Sequence, residues 1–319
     1  MSIIASSTAI PTTATSHSLL ADYVTLVKPR VSTMVIITAA AGFYLGSLRS
    51  GISPFHLGLI KALAGIAIVT AGSSVLNQAL ERSTDLLMPR TASRPMAQRR
   101  IGLAHGLILG FLLVFGGSLY LAFYGANPIT GLLTLLTAVS YVAIYTPLKR
   151  FTTLNTFIGA FPGALPPLIG WTATRGLIEW PAVALFAILF VWQFPHFMAI
   201  GWMYRADYAA AGIRVTATQQ PIRWAARSSV IQALFYAALM IPVSLWPTFL
   251  HTTGLPYAIV ATVLGIWYLY ATIRFSRILR NPEDPATRAI AKNLLKVSVI
   301  YLPLLLAAMM LNTQGRLHF

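Results

Sequence analysis

Cysteine is absent from this chain of 319 residues. That excludes a thiolate nucleophile, a cysteine-ligated metal and any disulfide. Acidic residues are nearly as scarce, seven against 23 Lys and Arg. All charged residues together make up 9% of the chain, where soluble domains carry roughly 25%. With 57% of residues hydrophobic, that deficit excludes an ordinary soluble domain and defines an integral membrane protein. A formal charge of +16 would suggest nucleic acid in a soluble protein; in a polytopic chain it poses a question of sidedness, and no nucleic-acid partner is expected. The opening stretch "MSIIASSTAIPTTATSHSLL" also lacks any basic residue, so it has neither the charged start of a signal peptide nor the Arg of a transit peptide. Residues 1–21 are therefore expected to form a disordered cytoplasmic tail, and 22–319 one membrane domain in a bacterial cytoplasmic membrane.

What is present is a series of apolar runs of the length that crosses the hydrocarbon core as helix. Nine are legible, near 31–48, 57–80, 101–123, 127–146, 154–171, 180–203, 229–247, 254–273 and 294–312. The expected fold is an all-α polytopic bundle. Of the 23 basic residues, 19 fall in the first segment and in the loops after spans two, four, six and eight, leaving Arg49, Lys61, Arg175 and Arg316 on the other side. This asymmetry supports the count of nine and places the N-terminus in the cytoplasm and the C-terminus outside.

Two of the seven acids lie in "NQALERSTDLLMPRTASRP". Asn77, Glu81 and Asp85 recur every fourth residue, so they line one helical stripe at the cytoplasmic end of span two. Two carboxylates and an amide suit a hard cation such as Mg²⁺, which is commonly held by one or two carboxylates plus substrate phosphates. Arg90, Arg94, Arg99 and Arg100 follow, able to grip phosphate oxygens. The plainer alternative is that the acids pair with Arg82 and Arg90 at a wet helix end.

A second polar patch, "WQFPHFMAIGWMYRADYAAAGI", brings Asp207 with Arg205, Tyr204 and Tyr208 to the same side. The other acids, Asp22, Glu179, Glu283 and Asp284, read as solvated loop and tail charge. Between the patches runs "YTPLKRFTTLNTFIGAFPGALPPLIGW", where Lys149 and Arg150 are either inside-positive anchors or phosphate contacts. Asn155 and a Gly/Pro-broken span there would make a site wall. Trp192, Phe194, Phe197, Trp202 and Tyr204 are either packing and interface residues or faces for a cationic intermediate. His196, inside span six, is either a haem-iron ligand or a hydrogen-bonded core histidine.

These stretches, with "DYVTLVKPRVSTMVIITAAAGFYL", run in order from Asp22 to Ile213 and resemble the haem-prenylating branch of the UbiA-type intramembrane prenyltransferases. The resemblance implies nine helices around a central cavity open to the cytoplasmic side. It implies that Asn77, Glu81 and Asp85 form the first acidic motif, binding diphosphate through Mg²⁺. Asp207 would be the acid of the second motif, and Arg94, Lys149, Arg205, Tyr208 and Asn155 would contact diphosphate. The implied reaction joins the farnesyl group of farnesyl diphosphate to the 2-vinyl group of protohaem IX, with water completing the side chain. Implied partners are the two substrates, the lipid bilayer, and haem-handling or terminal oxidase assembly proteins. Two positions depart from the wider pattern. Met203 stands where other UbiA-type enzymes carry a second acid, as is typical of the haem branch, and "RVTATQQP" replaces the apolar run expected after Ile213.

Two rivals remain open on the sequence. A secondary transporter would fit the broken spans, but its polar groups belong at mid-membrane rather than at helix ends. A UbiA-type enzyme with an aromatic, quinone-precursor acceptor would share the acidic stripe.

Overall fold

The computed structural model describes residues 18–313 of the chain. Within them the apolar runs are helices, because in hydrocarbon each backbone N–H and C=O must find its partner in its own segment. In chain order they are α1 (Leu19–Leu26), α2 (Pro29–Arg49), α3 (Leu57–Asp85), α4 (Leu103–Gly125) and α5 (Pro128–Leu148). There follow α6 (Asn155–Ala164), α7 (Pro166–Arg175), α8 (Trp180–Met203), α9 (Arg205–Ala210), α10 (Ile222–Phe249), α11 (Leu255–Leu279) and α12 (Thr287–Leu311). The described residues contain no strand, only one isolated antiparallel bridge between Thr253 and Thr313.

Eight of these helices are long and apolar enough to cross a bilayer singly. The protein is thus an all-α, multi-pass membrane protein. The expected fifth span, 154–171, is the exception to the count of nine. It is present as α6 and α7, which meet at Leu165. Pro166 and Pro167 bring no N–H to the helical ladder there, yet Leu165 keeps helical angles of φ −71 and ψ −27. Residues 155–175 together rise about 31 Å at helical pitch, the thickness of the hydrocarbon core. The proline-joined pair α6–α7 is thus long enough for the expected fifth span, though neither helix alone is among the eight.

Close packing is bought with glycine where helices cross. A Cβ on Gly42 of α2 would stand 1.8 Å from the Pro167 carbonyl oxygen, and one on Gly170 of α7 would stand 1.8 Å from that of Ala39. Neither helix tolerates a side chain at its crossing point. Elsewhere α3 packs along α4, and α8 is held between α10 and α12, with α11 closing the far side. Trp171, Trp202, Tyr257, Tyr268 and Tyr301 fill the interior of the bundle, while Phe111, Leu112, Phe115 and Phe123 of α4 face outwards, as lipid contact requires.

Three expectations are corrected. The tail assigned to 1–21 lies outside the described residues up to 17; beyond that, Ser18 caps α1 by accepting from the Ala21 N–H at 3.2 Å. Asp22 is not solvated tail charge: it is buried and takes three hydrogen bonds of 2.9–3.1 Å from Arg100. Glu179 is also partnered, accepting from Arg175 Nε at 2.7 Å and from Trp171 Nε1 at 2.9 Å. The two ends of the bundle differ in charge. Lys28, Arg94, Lys149 and Arg90 gather at one, and Arg49, Glu179 and Arg175 at the other.

Candidate active site

The acidic stripe lies where the sequence put it, on the last two turns of α3. Asn77 and Asp85 have no solvent exposure. Buried polar groups must be partnered, and the partners come from three other parts of the chain. The Lys28 ammonium donates to the Asn77 carboxamide oxygen, and Asn77 Nδ2 donates to Thr146 Oγ1 at 3.0 Å. Lys149 Nζ donates to Glu81 Oε1 at 2.7 Å. Arg94 Nη1 donates to both oxygens of Asp85 at 2.8 Å and stands 4.0 Å from Glu81 Oε2. The acids do not pair with Arg82 or Arg90.

Local structure explains this convergence. After α3 the chain turns back on itself, with Thr91 Oγ1 donating to the Asp85 carbonyl at 2.9 Å, which returns Arg94 over the end of the helix it has just left. The end of α5 widens into a π turn at Ser140–Tyr145. The Tyr145 ring then lies 4.5 Å from Lys149 Nζ, a cation–π distance. Asn155 opens α6 and clamps the segment that departs from the family pattern. Its Nδ2 donates to the Arg214 carbonyl at 2.5 Å, while the Arg214 N–H donates to the Lys149 carbonyl at 2.7 Å. Ile213 and Val215 are thereby held against the site.

The result is a cavity of about 180 Å³ at the positive end of the bundle. Asn77, Glu81, Asp85, Arg94, Lys149, Asn155 and Tyr208 all line it. A smaller pocket of about 70 Å³ adjoins it, with Tyr145, Asn155, Tyr208 and Val215 lining both and Phe197, Met198 and Gly201 lining the smaller one. Burial, reinforced by the nearby Arg94 charge, lowers the Lys28 ammonium to about 7. Burial acts in the same direction on Lys149, but Tyr145 and the Glu81 carboxylate outweigh it and hold that ammonium above its ordinary range. Burial raises the Tyr208 phenol, so it stays protonated as a hydrogen-bond donor.

Three predicted residues stand apart. Asp207 and Arg205, on α9, are not among the cavity's lining residues. Arg205 turns the other way, donating to the Pro282 carbonyl at 3.1 Å and lying 4.6 Å over the Trp202 ring. His196 shares a 2.8 Å hydrogen bond with Ser298 Oγ and stacks on Trp192 at 4.8 Å. That is the core-histidine alternative, joining α8 to α12. Sequence reasoning missed Lys28, Tyr141 and Tyr145 as site residues, and it counted Arg90 as one of four phosphate binders or as a partner of the acids. Arg90 lies over the rings of Tyr204 and Tyr208 at 5.2 and 5.0 Å. Lys28 had one signal, the following Pro29. It occupies the left-handed region at φ 48, uncommon for a residue with a side chain and concentrated at functional sites.

A helical bundle whose polar cavity opens at one end, with acids on one helix opposed by phosphate-sized basic groups, defines an intramembrane enzyme of anionic substrates. The chain belongs to the UbiA prenyltransferase family, whose profile matches residues 35–300. It is 43% identical to the protoheme IX farnesyltransferase of Koribacter versatilis, over 92% of this chain and 94% of the relative. It is 38% identical to that of Opitutus terrae, over 94% and 97%. Among solved structures its fold is similar to one from work on a digeranylgeranylglyceryl phosphate synthase, with a TM-score of 0.73, 18% identity, and coverage of 92% and 98%. It is also similar to a UbiA homolog from Archaeoglobus fulgidus bound to DMAPP and Mg²⁺, with a TM-score of 0.60, 15% identity, and coverage of 90% and 99%.

Proposed function

We propose that this chain transfers the farnesyl group of farnesyl diphosphate to the 2-vinyl group of protohaem IX, giving haem O. One observation carries the reading: a chain 43% identical over nearly its whole length to a protoheme IX farnesyltransferase folds its acidic stripe and four basic residues, Lys28, Arg90, Arg94 and Lys149, around one cavity. The diphosphate belongs at that end. Lys28, Arg94 and Lys149 are placed to bind its oxygens and to hold the negative charge that grows as the allylic C–O bond breaks. The electron pair leaves with the diphosphate. The farnesyl cation is then attacked by the vinyl π electrons, which close the new C–C bond, and water adds to the remaining carbocation and releases a proton. Tyr145 and Tyr208 line both pockets, where a ring face not taken by Lys149 or Arg90 would stabilise the developing cation. Phe197 and Met198 keep the adjoining pocket poor in water.

The residues fit Mg²⁺. The Glu81 and Asp85 carboxylates and the Asn77 carboxamide line one cavity and offer the hard oxygen donors that this ion prefers. Among the described residues there is no group of three or more His, Cys, Asp or Glu able to enclose a metal, so phosphate oxygens would complete the shell. When bound, the ion supplies charge neutralisation of the leaving diphosphate. The proposed donor set is the three α3 residues; Asp207 enters it only if α9 moves toward the cavity. The cavity end faces the cytoplasm, in keeping with the positive-side bias of the loops.

The test is chromatography with mass detection of haem extracted from membranes holding the protein, protohaem, farnesyl diphosphate and Mg²⁺. A product heavier than protohaem by farnesyl plus water is expected. Its absence from membranes with folded protein would remove haem as acceptor and favour a phenolic one.

A further inference from the structure

A second concavity lies beside the first, on the far side of Tyr204. It is an open groove of about 930 Å³ between the end of α8 and the first half of α12. Arg288, Lys292 and Lys296 line it and recur every fourth residue, so they form one stripe with about 6 Å between successive cations. All three are exposed, and none forms an ion pair among the described residues, although Glu283 and Asp284 sit in the preceding turn. Leu295 lies beside the stripe, and one turn beyond Lys296 the same wall becomes Val299 and Ile300. Tyr204 lines the groove, and its ring is shared by cations of both sites, with Arg90 of the diphosphate cavity 5.2 Å from its centroid and Arg288 of the groove 5.9 Å from it.

Resting on the reading above, we propose that this groove is the acceptor site, and that Arg288, Lys292 and Lys296 bind the two propionate carboxylates of protohaem. Charge complementarity selects this occupant. Protohaem carries two adjacent anions on one edge of an otherwise apolar macrocycle, and the groove carries a row of unpaired cations above an apolar wall. Its volume is that of a site for a ligand of this size. The vinyl-bearing edge lies opposite the propionates, so carboxylates anchored on α12 leave that edge free to reach past Tyr204 towards the diphosphate.

The test titrates protohaem into the full-length protein in nanodiscs of phosphatidylcholine, which present no anionic headgroup, and follows visible absorption. Protohaem dimethyl ester, with its carboxylates blocked, is the second ligand, and Lys292→Gln/Lys296→Gln is the variant. Wild type is expected to bind the free acid at least about tenfold more tightly than the ester. The variant should lose that preference, and its affinity for a non-hydrolysable farnesyl diphosphate analogue should be unchanged. Equal affinity of wild type for acid and ester, or an unaltered preference in the variant, overturns the site while leaving the reaction intact. An effect of the variant seen only after adding phosphatidylglycerol assigns the stripe to lipid phosphate and also overturns it. Failure of wild-type membranes to make the farnesylated product is the separate result that overturns the reaction itself.

Discussion

Asp85 is fully buried, and its two oxygens are occupied by one guanidinium. A carboxylate at a helix end would be expected to be replaceable without harm to the fold, but here Asp85→Ala strands Arg94 and opens a hole as well. Asp85→Asn keeps the shape, removes the charge and leaves one oxygen to accept from Arg94. It is expected to lower haem O formation by about 100-fold, in the range seen when a single charge-stabilising group is lost, with a thermal midpoint closer to wild type than that of Asp85→Ala. Activity above a tenth of wild type would remove Asp85 from the machinery. The stripe was legible because its members lie on one helix, where spacing converts directly into geometry. Lys149 was legible from its block in the resemblance. Lys28 was not, because its partner Asn77 lies 49 positions away and no local pattern connects a loop lysine with an amide on another helix.

The most demanding contact between elements is the crossing of α2 and α7. Gly42→Ala places a methyl carbon within 1.8 Å of a backbone oxygen, which only separation of the helices relieves. A loss of about 1–3 kcal/mol is expected for such overpacking, read as a lower melting temperature in detergent. Gly116→Ala is the control: nothing lies within 4 Å of its added carbon, and a helical Gly→Ala change by itself favours the helix. Equal melting of the two variants would show that the crossing is looser than described. Eight long helices were legible from apolar length alone, with α3, α10 and α12 extending past the apolar limits because polar residues continue the helix beyond the membrane. The division of the fifth span was signalled by Leu165-Pro166-Pro167. The tie of α9 to α12 through Arg205 was not, since it depends on where two loops meet.

At the scale of the molecule, sidedness is open to direct measurement because the chain has no cysteine. Asn281→Cys, in the loop between α11 and α12, and Ser53→Cys, between α2 and α3, are both exposed. In intact cells a membrane-impermeant maleimide is expected to label Ser53→Cys only, with Asn281→Cys reacting after lysis; the reverse would invert the orientation. The alternation of basic residues with the spans is what predicts that orientation, whereas the full lining of the cavity was not legible, because it is assembled from α3, α5, α6, α9 and four loops. In that assembly both acids are already ion-paired, Asp85 with Arg94 and Glu81 with Lys149. A lone divalent cation would meet guanidinium and ammonium groups still in place, and a lone diphosphate would meet the carboxylates. Each ligand frees the partners that the other needs, so their affinities are thermodynamically linked, and each tightens the other by the same factor. Mn²⁺ titrated by paramagnetic resonance is expected to bind at least about tenfold more tightly with the diphosphate analogue present than without it, making entry to the site a matter of partner exchange.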